Sequence, residues 1–304
     1  MMANDVPVEV IRTVQEMNAA TASIKRSGRP LALVPTMGAL HEGHAALMRL
    51  ARGSDASVVV SIYVNPTQFG PKEDFTKYSR SPEADCRICE REGVAVVFAP
   101  TDSEMYPGGQ PRLRGRSKSA VSMAHCAPST WVEELQVAKR LEGERRPGHF
   151  RGVCTVVAKL FNIVAPDRAY FGQKDYQQLK VIQRMVRDLC YPIAIVPMPT
   201  VRETDGLAMS SRNRYLSPSE RAQATVLWKA LNTARDLLAS GEHDPKRLQT
   251  AMAKVIATAP NARLDYAEIA DPETLEPRRE TKPGDVALIA IYIGATRLID
   301  NLIL

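Results

Sequence analysis

The chain has 304 residues, of which 44% are hydrophobic and 24% charged, and this balance is typical of a soluble globular protein. It contains no run of about 18 apolar residues, so we expect no transmembrane helix, and its first residues lack the pattern of a secretory signal. The formal net charge is +6, an excess that falls largely at 112–118 and suits either nucleic acid or small anionic substrates.

Five cysteines are scattered along the chain. An odd, dispersed set indicates a reducing compartment, and we therefore expect a cytoplasmic protein. Cys86 and Cys89 match C-x-x-C, but no second pair accompanies them and the surrounding residues have a helical pattern. We therefore expect neither zinc binding nor redox chemistry at this pair.

The first part of the chain alternates helices with apolar, strand-like runs. We predict helices over 8–27 and Ser81–Glu92, and strands at Leu31–Val34, Val58–Val64 and Val94–Phe98. Such alternation predicts parallel strands with helices on both faces of the sheet.

The organising stretch is 31–50, LALVPTMGALHEGHAALMRL. Its apolar run suits a strand buried on both faces, proline and glycine at 35–38 end that strand, and an amphipathic pattern begins after Gly43. In an open α/β sheet the intervening loop lies where ligands bind, and the N–H groups at the helix start favour an anion such as phosphate. His41 and His44 can face one ligand, although two solvent histidines on an ordinary loop give the same pattern. The loop matches neither the P-loop nor the G-x-G-x-x-G motif.

Residues 107–130 interrupt this rhythm, being basic and rich in Gly, Ser and Pro without a clear period. We interpret them as a mobile surface excursion. The alternative is a polyanion-binding patch at 112–118.

The second part of the chain completes the sheet and adds a smaller domain. For the sheet we predict helices over Val153–Val164 and Gln178–Leu189, and strands at Asp167–Phe171 and Tyr191–Val196. The prolines at 197 and 199 form a hinge. Beyond it we predict a helix starting at the capping box Ser217–Glu220, a helix over Pro245–Ala257, and strands at Leu264–Ile269, Asp285–Ile293 and Thr296–Leu302. The predicted fold is a Rossmann-like, doubly wound parallel α/β sheet over 1–199 with a smaller α+β domain over 200–304.

Three polar segments follow predicted strands or the hinge. Asn65–Gly70 offers amides, which both donate and accept hydrogen bonds. Phe171–Gln178 carries Lys174, a compact charge suited to phosphate, at the start of a helix. Met209–Asn213 offers hydroxyls and an arginine, which suit the oxygens of a phosphate. Each segment alone is compatible with an ordinary turn, and only their order and placement favour a nucleotide site.

The motifs resemble those of the pantoate–β-alanine ligase (pantothenate synthetase) family. PTMGALHEGH at 35–44 is similar to the family signature, and its HEGH to the HxGH element of the wider nucleotidyltransferase superfamily, which includes class I aminoacyl-tRNA synthetases. NPTQF at 65–69, GQKDYQQ at 172–178 and MSSRN at 209–213 resemble three further family motifs. The chain departs from the family at Gln173, where many members carry Glu, and in the length of 107–130.

The resemblance implies which residues form the site, with His44 as the catalytic histidine and His41 as its partner. The implied catalytic residues are His41, His44, Lys174 and Arg212. The implied substrate contacts are Asn65, Gln68 and Gln178. The implied ATP contacts are Met37, Gly38, Ala39, Leu40, His41, Glu42, Gly43, His44, Gly172, Gln173, Lys174, Asp175, Val201, Met209, Ser210, Ser211 and Arg212.

The resemblance also implies a reaction. Pantoate would attack the α-phosphorus of ATP to give pantoyl adenylate and pyrophosphate, and β-alanine would then displace AMP to give pantothenate. We expect Mg²⁺ to be carried on the ATP phosphates, without a dedicated protein metal site. We further expect a cytoplasmic homodimer with no nucleic-acid or membrane partner.

Two alternatives stay open. One is another HxGH nucleotidyltransferase that adenylylates a different small acid or phosphate. The other, from a different class, is a nucleic-acid-binding protein that uses the basic stretch at 112–118.

Overall fold

The computed structural model of the chain describes residues 8–70, 73, 75–76, 78–108 and 128–304. Its contacts divide into two units, one comprising Met1–Phe171 and Val181–Met198, the other Gly172–Lys180 and Pro199–Leu304. The stretch Gly172–Lys180, which we assigned to the first predicted domain, therefore packs with the second unit.

The first unit is built on a six-stranded parallel sheet flanked by helices. The strands are β1 (Glu9–Ile11), β2 (Leu31–Thr36), β3 (Ser57–Ile62), β4 (Val96–Phe98), β5 (Arg168–Gly172) and β6 (Ala194–Met198). The helices are α1 (Val14–Arg26), α2 (Glu42–Arg52), α3 (Pro82–Arg91), α4 (Asp102–Met105), α5 (Glu142–Arg145), α6 (His149–Val164) and α7 (Tyr176–Asp188), the last belonging to the second unit as far as Lys180. The spatial order is β1-β4-β3-β2-β5-β6, which confirms the predicted doubly wound parallel sheet. Because β3, β2 and β5 are parallel neighbours, they end at the same edge of the sheet.

Apolar side chains fill the centre of this sheet. Leu33 and Val34 on β2 and Val59 and Val60 on β3 are completely buried, as expected for strands covered on both faces. Helix α6 is buried along nearly its whole length, which explains its apolar sequence.

The predicted helix over 8–27 is wrong at its start. Glu9–Ile11 pair in parallel with Val96–Phe98 as β1, and α1 begins only at Val14. Thr13 is its N-cap, with a side chain that accepts a hydrogen bond from the Glu16 N–H. A three-residue strand at a sheet edge is specified by its partner strand rather than by its own period, so the sequence pattern did not separate it from the helix.

Strand β2 runs through Pro35 to Thr36, further than predicted. The Thr36 carbonyl still accepts from the Tyr63 N–H on the β3 side. On the other side β5 pairs no further than Leu33, so the missing proline N–H removes no ladder hydrogen bond.

Residues 109–127 lie outside the described part of the chain. The excursion predicted over 107–130 falls largely there, and the alternative patch at 112–118 falls there entirely. In the part that is described, no helix combines the length and apolar character needed to cross a bilayer.

The second unit combines a small antiparallel sheet with helices, as predicted. The helices are α8 (Pro218–Gln223), α9 (Val226–Ala239) and α10 (Pro245–Ile256), and the strands are β7 (Ala262–Ala270), β8 (Val286–Ile293) and β9 (Thr296–Ile303), in the order β7-β8-β9. The core lies between α9, α10 and the nearly completely buried central strand β8. The predicted capping box of Ser217 and Glu220 is present, and a two-residue loop at Gly294 joins β8 to β9. The prediction of two helices beyond the hinge is wrong, because the helical run that begins after Ser217 is interrupted at Ala224 and Thr225.

Candidate active site

The loop between β2 and α2 is held by a buried carboxylate. Asp85, on α3, is only 2% exposed. Its two oxygens accept hydrogen bonds from the Ala39 N–H at 3.0 Å and the Leu40 N–H at 2.8 Å. These two amides therefore already have an acceptor inside the protein, so any phosphate bound here relies on other donors of the loop.

Asp85 also explains the unusual backbone of this loop. Gly38 and Ala39 have φ values of +78° and +51°, in the left-handed region. A Cβ at Gly38 would lie 2.9 Å from the Asp85 Oδ2, so only glycine fits beside the carboxylate. The left-handed conformation of Ala39 is unfavourable for an L-residue, and the two hydrogen bonds to Asp85 compensate for it.

The two histidines of the loop cap helix α2 reciprocally. His41 is the N-cap, and its Nδ1 accepts from the Gly43 N–H at 3.1 Å. The Nδ1 of His44 accepts from the His41 N–H at 3.3 Å, and the two ring centroids are 4.1 Å apart. Because each Nδ1 acts as an acceptor, each neutral ring carries its proton on Nε2. The structure therefore places two Nε2–H donors on one helical turn, and the shared turn is the one that the sequence predicted. The neighbouring Glu42 side chain is ion-paired with Arg49.

The loop after β3 is organised by Asn65, which is 1% exposed. Its Nδ2 donates to the Gln68 Oε1 and to the Gly152 carbonyl, each at 3.1 Å. Its Oδ1 accepts from the Tyr106 hydroxyl at 2.9 Å and from the Thr67 hydroxyl at 3.0 Å. Both ends of this amide are thus used within the protein, an arrangement that suits holding Gln68 in place better than contacting a substrate.

Gln68 lies next to Asn65 and is also buried, with 7% of its surface accessible. Its Oε1 accepts from Asn65, and its Nε2 lies 3.0 Å from the Met37 sulfur. A thioether sulfur is a weak acceptor. A ligand oxygen in place of that sulfur would therefore give the Gln68 amide a stronger partner.

A partly buried network supports the backbone of the same loop. Arg146 makes a bidentate ion pair with Glu73, with distances of 2.8 and 2.9 Å, and donates to the His149 Nε2 at 3.0 Å. The His149 Nδ1 is then the protonated nitrogen and donates to the Gln68 carbonyl at 2.8 Å. Burial, reinforced by the Arg146 charge, lowers the pKa of His149 to about 4, so the ring stays neutral at physiological pH.

The segment after β5, in the second unit, presents Lys174 on a short 3₁₀ turn, Gln173–Asp175. The Lys174 Nζ lies 3.4 Å from the Asp175 Oδ1. The backbone of this turn is fixed by Asn301 on β9, whose Nδ2 donates to the carbonyls of Gln173 and Lys174, each at 2.9 Å. The predicted substrate contact Gln178 lies half-buried at the start of α7.

The MSSRN segment, for which the sequence predicts phosphate contacts, lies in the same unit. The Ser210 hydroxyl accepts from the Arg212 N–H at 3.3 Å at the start of a 3₁₀ helix, Ser211–Tyr215. The Met209 N–H donates to the Val201 carbonyl at 2.9 Å, which holds the segment against the chain just after β6. One small cavity is lined by residues of both predicted elements and of β9, among them Lys174, Ser210, Arg212, Asn213 and Arg297.

Neither the cysteines nor the acidic residues of the described part form a metal centre, since no group of three His, Cys, Asp or Glu side chains there is placed to hold an ion. Burial raises the pKa of Cys89 to about 12, so this thiol is protonated and unreactive.

Four residues that shape the site were missed by the sequence reasoning: Asp85, Arg146, His149 and Asn301. Arg146 and His149 lie in RPGHFRG, a run with glycine, proline and one of only five histidines, which was a usable signal. Asp85 and Asn301 carry no local signal, because each lies in an ordinary helix or strand pattern and binds a loop that is distant in sequence.

A family model described as "Pantoate-beta-alanine ligase" matches residues 9–303 of the chain. The pantothenate synthetase of Acidobacterium capsulatum is 50% identical over 303 residues, covering 96% of this chain and 95% of that protein. The pantothenate synthetase of Moorella thermoacetica is 47% identical over 297 residues, covering 98% of this chain and 99% of that protein.

Solved structures give the same picture. The crystal structure of pantothenate synthetase from Thermus thermophilus has a TM-score of 0.86 at 44% identity, covering 97% of this chain and 99% of that one. The pantoate–β-alanine ligase of Francisella tularensis, described as complexed with β,γ-ATP and β-alanine, has a TM-score of 0.75 at 29% identity, covering 97% of both chains. Motifs, fold and relatives agree over nearly the whole length, and the chain belongs to the pantoate–β-alanine ligase family.

Proposed function

We propose that this protein condenses pantoate with β-alanine in a reaction driven by ATP, releasing AMP and pyrophosphate and giving pantothenate. The observation that carries the proposal is the match of the family model over residues 9–303, which includes all four motifs in order. The alternative of a different HxGH nucleotidyltransferase does not account for that full-length match. The nucleic-acid alternative rests on 112–118, which lie outside the described residues.

In the first step the pantoate carboxylate attacks the α-phosphorus of ATP, the bond from that phosphorus to the bridging oxygen breaks, and pyrophosphate leaves. We propose that His41 and His44 donate from Nε2 to the α-phosphate oxygens. Their shared helical turn and reciprocal capping support this role, because preorganised donors stabilise charge that develops in the transition state without reorganising.

We propose that Lys174, Ser210 and Arg212 bind the phosphates that leave as pyrophosphate. All three line the same cavity of the second unit, together with Arg297. A lysine and two arginines suit phosphate oxygens rather than a metal ion. We therefore assign no protein ligands to Mg²⁺ and propose that it enters on the ATP phosphates, where it supplies neutralising charge.

In the second step the β-alanine amine attacks the acyl carbon of pantoyl adenylate, and AMP leaves as the amide forms. We propose that Gln68 and Gln178 orient pantoate, since an amide can both donate to a carboxylate and accept from a hydroxyl. Asn65 then acts by holding Gln68, in keeping with its fully used amide. The complex of the Francisella relative with an ATP analogue and β-alanine supports the same two ligands for this chain. A cytoplasmic location and a homodimer stay predictions from the sequence and the family.

The test is product formation by the purified protein from pantoate, β-alanine and Mg-ATP. Pantothenate and AMP should appear in equal amounts, and ATP–pyrophosphate exchange should require pantoate. His44→Ala should lower the exchange rate by roughly 100-fold, the effect of losing one preorganised donor. His243→Ala is the matched control, because that histidine binds the Thr281 carbonyl in the second unit, outside every motif. ADP as co-product, or exchange that proceeds without pantoate, would refute the proposal.

A further inference from the structure

We propose that Asn301 is a positioning residue of the adenylylation site, which acts by fixing the turn that presents Lys174. The inference rests on the proposed function, since it assigns a role to a residue that supports that site. Asn301 lies on β9, in a part of the chain that carries none of the family motifs recognised in the sequence.

The side-chain amide of Asn301 donates to that turn. Its side chain is buried, with 5% exposure, and both protons of its Nδ2 are used: one bond reaches the Gln173 carbonyl and the other the Lys174 carbonyl, each at 2.9 Å. These two carbonyls belong to the peptide units on either side of the Lys174 Cα, so one amide fixes the orientation of both units. The direction in which the Lys174 side chain leaves the backbone is fixed with it.

Asn301 is itself held rigidly through Arg202. The Arg202 guanidinium donates to both oxygens of Asp300, at 2.7 and 3.0 Å, and to the Asn301 carbonyl at 3.2 Å. It also lies over the Trp228 ring, 3.8 Å from the ring centroid. The Asp300 side chain is completely buried, so this bidentate pair is shielded from water and geometrically demanding.

Arg202 connects this arrangement to the other phosphate element. Arg202 forms a β-bridge with Ala208, and the next residue, Met209, donates from its N–H to the Val201 carbonyl at 2.9 Å. One continuous chain of polar contacts therefore runs from the MSSRN segment through Arg202 and Asn301 to the turn of Lys174. This chain accounts for the placement of Lys174 and Arg212 around one cavity although the two residues are far apart in sequence.

Loss of the Asn301 amide should lower the reaction rate, because it changes where Lys174 lies. A misplacement of about 1 Å in a positioned group can cost roughly 100-fold in rate. Without the amide of Asn301, the two peptide units that flank the Lys174 Cα each lose a hydrogen bond, and the Lys174 side chain samples other directions. Among the described residues the Asn301 side chain bonds to no other motif, so its removal should affect only the placement of the turn that carries Lys174.

The experiment is a double-mutant cycle on the full chain, read by pantoate-dependent ATP–pyrophosphate exchange. Asn301→Ala alone should lower the exchange rate about 10- to 100-fold, and Lys174→Ala alone by roughly 100-fold. In the Lys174→Ala background, Asn301→Ala should cause no further loss beyond about 2-fold, because residues that act through one another are not additive. Asn232→Ala is the matched control: it removes an amide that donates to the Trp228 carbonyl at 2.7 Å in the same unit, and it should leave exchange unchanged.

Urea unfolding of each variant separates positioning from folding. The inference is supported if the Asn301→Ala protein is folded at the assay temperature and the substitution lowers the exchange rate only in the background that retains Lys174. A full additional loss in the Lys174→Ala background, or wild-type exchange in Asn301→Ala, overturns it while leaving the proposed function intact. A wild-type protein without any pantoate-dependent exchange refutes the proposed function instead, and the inference with it.

Discussion

Replacing Asp85 by Asn tests whether the loop of the two histidines depends on a charge supplied by another helix. The substitution changes the size of the side chain very little and keeps one oxygen, so one of the two hydrogen bonds, to Ala39 or Leu40, survives. The other position becomes an NH₂ group facing an N–H, which leaves a buried donor without an acceptor.

The magnitude follows from the burial of the site. A hydrogen bond to a charged group contributes about 1.5–3 kcal/mol, and a buried unpaired donor costs about 1–3 kcal/mol. We therefore expect the free energy of unfolding to fall by about 3 kcal/mol, since the two terms overlap. The loop should relax from its left-handed conformation at Ala39, and the exchange rate should fall by roughly 100-fold as His41 and His44 lose their positions.

The assay pairs urea unfolding with pantoate-dependent exchange, measured where the variant is still folded. Asp285→Asn is the matched control, because Asp285 is also completely buried and accepts from the Lys282 N–H at 2.9 Å and the Arg278 Nε at 2.7 Å, outside the candidate site. It should lose comparable stability and keep wild-type exchange. Equal activity losses in the two variants, or no loss in Asp85→Asn, would refute the idea that this carboxylate sets the loop.

Two further predictions concern the support of Gln68. The folded protein holds His149 neutral with a pKa of about 4 against an ordinary value of 6.5, so the unfolded chain takes up the proton first and wild-type stability falls as the pH drops through that window. His149→Asn keeps a hydrogen-bond donor but cannot titrate. Relative to that variant, the wild type should lose up to roughly 3 kcal/mol in its free energy of unfolding between about pH 6.5 and pH 4, measured by urea unfolding. Parallel profiles of stability against pH in the two proteins would contradict a neutral, buried His149. Gly152→Ala places a Cβ 2.4 Å from the Thr67 carbonyl oxygen and 2.7 Å from the Gln68 nitrogen, so the loop must shift and the KM for pantoate should rise about 10-fold. Gly53→Ala, whose Cβ would come no closer than 3.4 Å to its neighbours, is the control, and an unchanged KM in Gly152→Ala would argue against a pantoate contact at Gln68.

The features that the sequence predicted correctly are those determined by residues close together in the chain. The apolar run of β2, the glycine after it and the amphipathic α2 are contiguous, so strand, loop and helix follow from period and propensity alone. The capping box at Ser217 and the hairpin at Gly294 are equally local, and both are present.

The features that were missed depend on contacts between distant segments. Asp85 binds an amide 46 residues earlier, and Asn301 binds a carbonyl 128 residues earlier. A buried Asp in a helix and an Asn in a strand look like ordinary surface residues until the tertiary structure brings a partner to them. The edge strand β1 was missed for the same reason, since its partner β4 follows far along the chain.

The contact between Gln68 and the Met37 sulfur has a practical consequence for inhibitor design. Asn65 is buried and both ends of its amide are already hydrogen-bonded, so a compound would gain no affinity by binding it. The Gln68 amide is different, because its Nε2 donates to the Met37 sulfur, which is a weak acceptor. A carboxylate or hydroxyl oxygen in the place of the sulfur would accept a stronger hydrogen bond. We therefore expect a compound to gain affinity by placing a carboxylate oxygen where the Met37 sulfur now lies. Such a compound would bind the Gln68 amide and leave the hydrogen bonds of Asn65 unchanged.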